Sequence, residues 1–290
     1  MGIIKKCLVG GLFFSLVLLE AKVRFPARGF AKVLSDEIAQ KKLAEYRSFI
    51  LKDSNETRFH EGFAFRFNLR HMPRRGLERN ITGSMYGPYL GSGLIRMELD
   101  LKTPDAAAEV YLLNNKESPE LWKFKLGHLE LQKISSADSL SPLVHGMNQT
   151  AFDLLMPFVF WEGEYKLSGK VAGRPAHIYS FKTPEWVTKE KPNWKRITLA
   201  LDDAYHAPLR VEFFGHEQVA ERTLLLRSFK KLKDRWIIKE IDCRDRLTRS
   251  VTRMKITSAA LDLDFDASVF LTEGLRQVLE LDSKLFLSTD

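Results

Sequence analysis

Asp262, Asp264, Asp266 and Glu273 are spaced like the oxygen ligands of a calcium-binding loop. They occupy positions one, three, five and twelve of that pattern, and Val269 fills its apolar eighth position. The chemistry is incomplete. Position six, where the chain must turn sharply, is Ala267 rather than glycine, and position nine is Phe270, which offers no ligand atom. Leu263 and Phe265 are apolar where such loops are polar, and the residues before them read as a strand rather than a helix. Acids alternating with apolar residues are also what a strand end produces.

Other reactive side chains are scattered. His60, His71, His128, His145, His177, His206 and His216 include no His-x-x-x-His pair, and His216-Glu217 lacks the second histidine of a metalloprotease helix. They read as surface or turn residues. No Gly-x-Ser-x-Gly elbow occurs, and Gly91-Ser92-Gly93 lacks the third glycine of a dinucleotide loop. Asp202-Asp203 and the pair Glu162 and Glu164 have the makings of acid–base couples, but they fall at predicted turns, where exposed acids need no chemistry. Asn55, Asn80 and Asn148 stand in glycosylation sequons that matter only in a eukaryotic secretory pathway. This inventory predicts no catalytic residue, no metal and no cofactor.

The elements that would carry such groups are mostly strands. Residues 30–52 read as an amphipathic helix with Val33, Ile38, Leu43, Tyr46 and Ile50 along one stripe, or as a shorter helix capped by Ser35 or Asp36. Residues 63–70 alternate strictly, with Phe63, Phe65, Phe67 and Leu69 on one side and Arg66, Asn68 and Arg70 on the other. Gly83, Gly87, Gly91 and Gly93 read as turns before a strand over 94–101. A hairpin is expected over 111–125, a helix over 149–158 and strands over 164–171 and 176–182. Residues 183–193 read as a loop or flap, and the segment 268–286 as helical. Between 193 and 275, one-face-apolar segments follow each other with short interruptions, the pattern of an antiparallel meander with one wet and one apolar face. A sheet with this many strands curls, splits or closes, and a curved sheet can enclose a ligand cavity.

Lys5 and Lys6 precede an apolar stretch over residues 7–19, the arrangement of an export signal ending near Ala21. Residues 1–21 are therefore expected to be a signal peptide and 22–290 a single domain in the periplasm or cell envelope; an uncleaved anchor is the alternative. Without residues 1–21 a single cysteine remains, Cys243, which excludes an internal disulfide and a cysteine zinc cage. Its apolar strand context makes it a small buried hydrophobe. The net charge of +8 is concentrated around Arg66, Arg70, Arg74, Arg75 and Arg79, and around Lys230, Lys231, Lys233 and Arg235. Such clusters suit phospholipid head groups or an acidic partner, or are solvated strand faces and turns. Export argues against nucleic acid.

The order of segments then becomes specific. Asp153-Leu154-Leu155 precedes Trp161-Glu162; residues 194–202, 207–214 and 229–241 follow as strands rich in aromatic and branched residues; and Leu261-Asp262-Leu263 leads to residues 270–275. This order resembles the outer-membrane lipoprotein-sorting proteins, the LolA/LolB-like family, over roughly residues 30–280 and most closely after Trp194. The resemblance implies a mainly β fold: an incompletely closed antiparallel β-barrel, with an N-terminal helix and short helices covering its concave face. It also implies a non-enzymatic carrier or receptor whose hollow takes lipoprotein or lipid acyl chains. Strand alternation nominates Phe63, Phe65, Phe67, Leu199, Val211 and Phe213 for the inner face. No arginine aligns with the family's lid-latching arginine; Arg66 and Arg96 are candidates for it by position alone. The alternative is an envelope-interaction protein of the same fold whose inner face is a solid core.

Overall fold

The computed structural model describes residues 31–51, 56–101, 108–126, 130–205 and 207–290. The expected signal segment, Asn55, His128 and His206 lie outside the described residues.

Ser35 opens helix α1 (Asp36–Ile50), its Oγ accepting from the Ile38 N–H, and acids occupy the first turn where they meet the positive end of the helix dipole. This start makes Ala39, Leu43, Tyr46 and Ile50 the buried stripe. Val33 lies before the helix and Ile38 on its wet side, so both are exposed, contrary to the stripe read from the sequence.

The strands are β1 (Arg58–Met72), β2 (Arg79–Gly87), β3 (Leu94–Asp100), β4 (Glu109–Asn114), β5 (Glu120–Lys125) and β6 (Leu131–Ile134). After helix α2 (Ala151–Leu155) come β7 (Gly163–Val171) and β8 (Arg174–Lys182). Helix α3 (Glu185–Glu190) precedes β9 (Arg196–Asp202), β10 (Pro208–Phe214), β11 (Ala220–Leu232), β12 (Arg235–Asp245), β13 (Ser250–Asp266) and β14 (Leu287–Ser288). All pair antiparallel in one sheet of order β6-β5-β4-β3-β2-β1-β13-β12-β11-β10-β9-β8-β7, with β14 on β13. The sheet is not closed: β6 and β7 end the pairing order. It curls nonetheless. Ile95 of β3 and Val211 of β10 line one cavity although their strands stand six places apart, about 29 Å if the sheet were flat.

Inner and outer faces carry separate apolar clusters. On the inner face, Phe63, Phe65, Phe67 and Leu69 all join the packing of the β1–β5 half, as their alternation predicts. Gly83 and Gly87 are not turns but residues of β2, Gly83 inside it and Gly87 its last, directly opposite Phe67 and Phe63. A Cβ at either position would come within 2.5 Å or 2.4 Å of the facing ring, so only glycine lets the two phenylalanines lie flat across the neighbouring strand.

Three elements differ from their sequence pattern for identifiable reasons. The helix expected over 149–158 stops at Met156, which takes a left-handed conformation (φ 51°) before Pro157 starts a single 3-10 turn. Proline disfavours the α conformation in the residue before it and has no N–H to continue the helix. The 183–193 loop contains α3, whose Val187 is fully buried. The C-terminal stretch is three short 3-10 turns and β14 rather than a helix. Its carbonyls are spent elsewhere: the buried Arg96 donates to Gly274 O (2.8 Å) and to Gln277 O, holding the segment on the outer face over Phe265 and Phe270. Arg96 is therefore an anchor for the C-terminal segment, and Arg66 stacks over Phe286 in the same segment, so neither latches a cover on the inner face.

Asp262, Asp264 and Asp266 lie along β13 on its exposed side, about 7 Å apart in succession, and cannot converge on one ion. Asp262 pairs with Lys233 and Arg235, Asp264 with His60, and Asp266 caps the following turn through Ser268 N–H.

Candidate functional site

The inner face of the β7–β10 half is filled. Phe152 of α2 meets Phe158, Trp161, Trp186, Trp194 and Phe213 at ring-centroid distances of 6.0–6.4 Å, and Trp194 lies 4.5 Å from Phe213. Helix α1 closes this half. Tyr179 Oη donates to Ala39 O (2.9 Å), and Arg47 donates to Val159 O and Trp161 O, each at 2.6 Å.

Between that packed half and the β1–β3 side a cavity of about 170 Å³ remains. Phe65, Met85 and Ile95 form one wall, Val211, Leu224, Leu226, Ile238 and Ile241 the opposite one, and Met254 and Ile256 the floor joining them. Leu154 and Met156 of the α2 segment cover it. Most of the lining is aliphatic, thioether or aromatic, and Gln149, Asp153 and Lys239 are its polar members. Three methionines among these residues give walls that can repack around differently shaped apolar groups. The Lys239 stem also contributes, while its ammonium reaches out to the exposed Asp290 (3.3 Å), so the cavity comes near solvent there. An apolar cavity of roughly 150 Å³ stays dry and accepts benzene, so this space fits a ring or a short run of methylenes.

Of the six inner-face residues nominated by alternation, Phe65 and Val211 line the cavity. Phe63 and Phe67 stand behind the first wall, over their glycines, while Leu199 and Phe213 belong to the aromatic packing of the filled half. Alternation reports which face a residue occupies, not where along that face a gap is left. The residues it missed, Leu224, Leu226, Ile238 and Met254, sit in the same meander and carry the same period-two signal.

Beside the cavity lies a buried polar cluster absent from the sequence reading. Thr150 and Asp153 form a reciprocal cap at the start of α2, with Thr150 N donating to Asp153 Oδ2 (2.9 Å) and Asp153 N to Thr150 Oγ1 (3.1 Å). Arg222 of β11 donates to the same Asp153 carboxylate and to Asn148 O. Asn148 in turn donates to Cys243 O (3.1 Å) and Ser250 O (3.2 Å). Thr252 Oγ1 accepts from Asn148 N and lies 2.9 Å from His71 Nδ1. The cover of the cavity is thus tied to the sheet by an ion pair with both side chains nearly buried. Cys243 is fully buried, as expected, and burial with the adjacent Asp153 charge pushes its thiol pKa well up. It stays a thiol rather than a nucleophilic thiolate.

His177 is also buried rather than a surface residue. Its Nδ1 lies 2.7 Å from Ser168 Oγ and its Nε2 2.7 Å from Asp203 Oδ1, a serine–histidine–aspartate line. Both ends of the line are occupied. Ser168 Oγ is 2.6 Å from Tyr165 Oη, which accepts from Leu34 N, and Lys42 of α1 donates to Asp203 (2.8 Å). The string fastens α1 and Leu34, two residues ahead of it, to the sheet edge. Burial acts to raise the Asp203 pKa, but its bonds to Lys42 and His177 outweigh that and hold it below the usual carboxylate value. Asp202, read as an exposed turn acid, is buried; it accepts from Ala204 N and Tyr205 N and pairs with Arg174. These acids shape the β9–β10 turn. Among the described residues, no group of three His, Cys, Asp or Glu side chains could hold a metal ion.

A protein-family profile described only as an uncharacterized protein matches residues 161–277. No curated protein matches the sequence. Solved structures do. A domain from Vibrio parahaemolyticus described as outer membrane lipoprotein-sorting superposes with a TM-score of 0.64 at 14% identity, covering 82% of this chain and 100% of that one. A DUF1329 family protein from Desulfovibrio piger gives 0.63 at 11% identity over 83% of this chain and 98% of its own. A LolA superfamily protein from Nitrosomonas europaea gives 0.55 at 12% identity over 78% and 97%. At these identities the likeness is one of fold: the chain is an open antiparallel barrel of the LolA-like kind.

Proposed function

We propose that this chain is a non-enzymatic carrier or receptor in the bacterial periplasm that holds an acyl chain, of a lipoprotein or a lipid, against the inner face of its open barrel. The observation that carries this reading is the apolar cavity between the two halves of the sheet, roofed by a short helix rather than filled by it. The LolA-like fold supports it, since one structural neighbour is described as lipoprotein-sorting. Removal of residues 1–21 on export is part of the same proposal. Among the described residues no helix is long and apolar enough to cross a membrane. Binding is driven by removing methylenes from water, about 0.8 kcal/mol for each one buried, less the cost of association.

The competing reading, an envelope-interaction protein with a solid interior, draws on the filled aromatic half around Phe152. One titration separates the two. Purified protein is expected to enhance the fluorescence of a hydrophobic probe, and fatty acids are expected to displace that probe at one site. A protein that neither binds the probe nor releases it to any fatty acid or lipopeptide has a solid interior in solution, and the second reading then stands.

A further inference from the structure

Two basic clusters were legible in the sequence, and their surroundings differ. At the β11–β12 turn, Lys231 pairs with Asp234, and Lys233 and Arg235 pair with Asp262. At the opposite end of β12, the loop between β1 and β2 (73–78) and the turn between β12 and β13 (246–249) lie side by side, because Met72 pairs with Val251 across β1 and β13. They flank a groove of about 500 Å³ lined by Arg74, Arg75, His71, Asn148, Thr248 and other residues, none of them acidic.

Nearby cations are accounted for unevenly. Arg70 pairs with Glu78, Arg79 donates to His145 O, and Arg246 pairs with Glu217. Arg74, Arg75 and Arg249 have no ion pair among the described residues. Asp245, the nearest acid of the turn, is occupied by Thr248 N and Oγ1. Both segments also raise a leucine into solvent: Leu77 is 90% exposed and Leu247 75% exposed. Two exposed leucines on neighbouring turns, set beside three unpaired arginines, are costly in water and suited to a surface that is anionic outside and apolar beneath.

We propose that this rim is a docking site for anionic phospholipid bilayers, with Arg74 and Arg75 seating a lipid phosphate in the groove and Leu77 and Leu247 dipping among the acyl chains. Arginine binds phosphate oxygens in a fixed, often bidentate fork. The polar cluster of Asn148, Ser250, Thr252, Arg222 and Asp153 separates the groove from the apolar cavity, so docking does not depend on cavity occupancy.

Flotation of the purified chain with vesicles tests it, using phosphatidylcholine alone and phosphatidylcholine mixed with phosphatidylglycerol. Binding is expected only to the mixed vesicles and should weaken with salt. Neutralising two surface arginines in Arg74→Gln/Arg75→Gln should weaken it about thirtyfold, at about 1 kcal/mol for each cation near an anionic surface. Leu77→Ser/Leu247→Ser should abolish the binding that survives at high salt, and Lys230→Gln/Lys231→Gln at the far end should change little. All these positions are exposed or half-buried, and unchanged melting temperatures would show the variants folded. Equal binding to neutral vesicles, or full binding by Arg74→Gln/Arg75→Gln, overturns the proposal. So does protection of the groove by inorganic phosphate without any vesicle binding, which would assign it to a free phosphate. Probe displacement in the cavity is a separate readout, so failure of one reading leaves the other standing.

Discussion

Replacing Arg222 with methionine is expected to destabilise the protein by about 3–5 kcal/mol, the usual result of leaving one member of a buried ion pair without its partner. Asp153 is then a nearly buried carboxylate beside Cys243 with no cation. For a domain of this size the loss lowers the melting temperature on the order of 10 °C. The double variant Arg222→Met/Asp153→Leu should recover most of the stability, short of about 1 kcal/mol for the lost helix cap. Thermal melts of the single and double variants check both.

Val211→Trp is expected to weaken binding of an apolar ligand strongly while leaving a folded protein. Val211 points into the cavity from β10, opposite Phe65 and Met85. An indole there fills space that would otherwise hold methylenes, at an overpacking cost of about 1–3 kcal/mol. Excluding three methylenes removes roughly 2.5 kcal/mol of burial, on the order of a fifty- to hundredfold loss of affinity. Leu199→Met, in the filled half, should leave binding within about twofold, because a near volume-conserving swap away from the cavity changes little. Probe displacement on both variants reads this directly.

The sequence carried the sheet well. Phe63, Phe65, Phe67 and Leu69 share the inner face of β1 as their alternation requires, because a half-buried strand leaves a period-two record in its own residues. The open barrel was legible through the family-like order of segments. What failed were features decided at a distance. The C-terminal segment reads as helical, yet Arg96 takes the carbonyls of Gly274 and Gln277 from across the outer face. Gly83 and Gly87 read as turns, yet they are flat places for rings on the neighbouring strand. His177 and Asp202 read as surface groups, yet each is enclosed by partners brought by another strand or helix. The cavity was only half legible for the same reason: its walls alternate like the rest of the sheet, and the gap between them depends on how far α2 fails to reach.

The central claim is that this gap holds an acyl chain, and covalent capture tests it most directly. A fatty acid with a photoactivatable diazirine midway along its chain would be bound, irradiated and the adducts mapped by peptide mass spectrometry. Adducts are expected on Phe65, Met85, Leu226, Ile238 and Met254, competed away by unlabelled fatty acid and strongly reduced in Val211→Trp. Adducts confined to outer-face residues, or the same cavity adducts undiminished by competitor, would contradict the account.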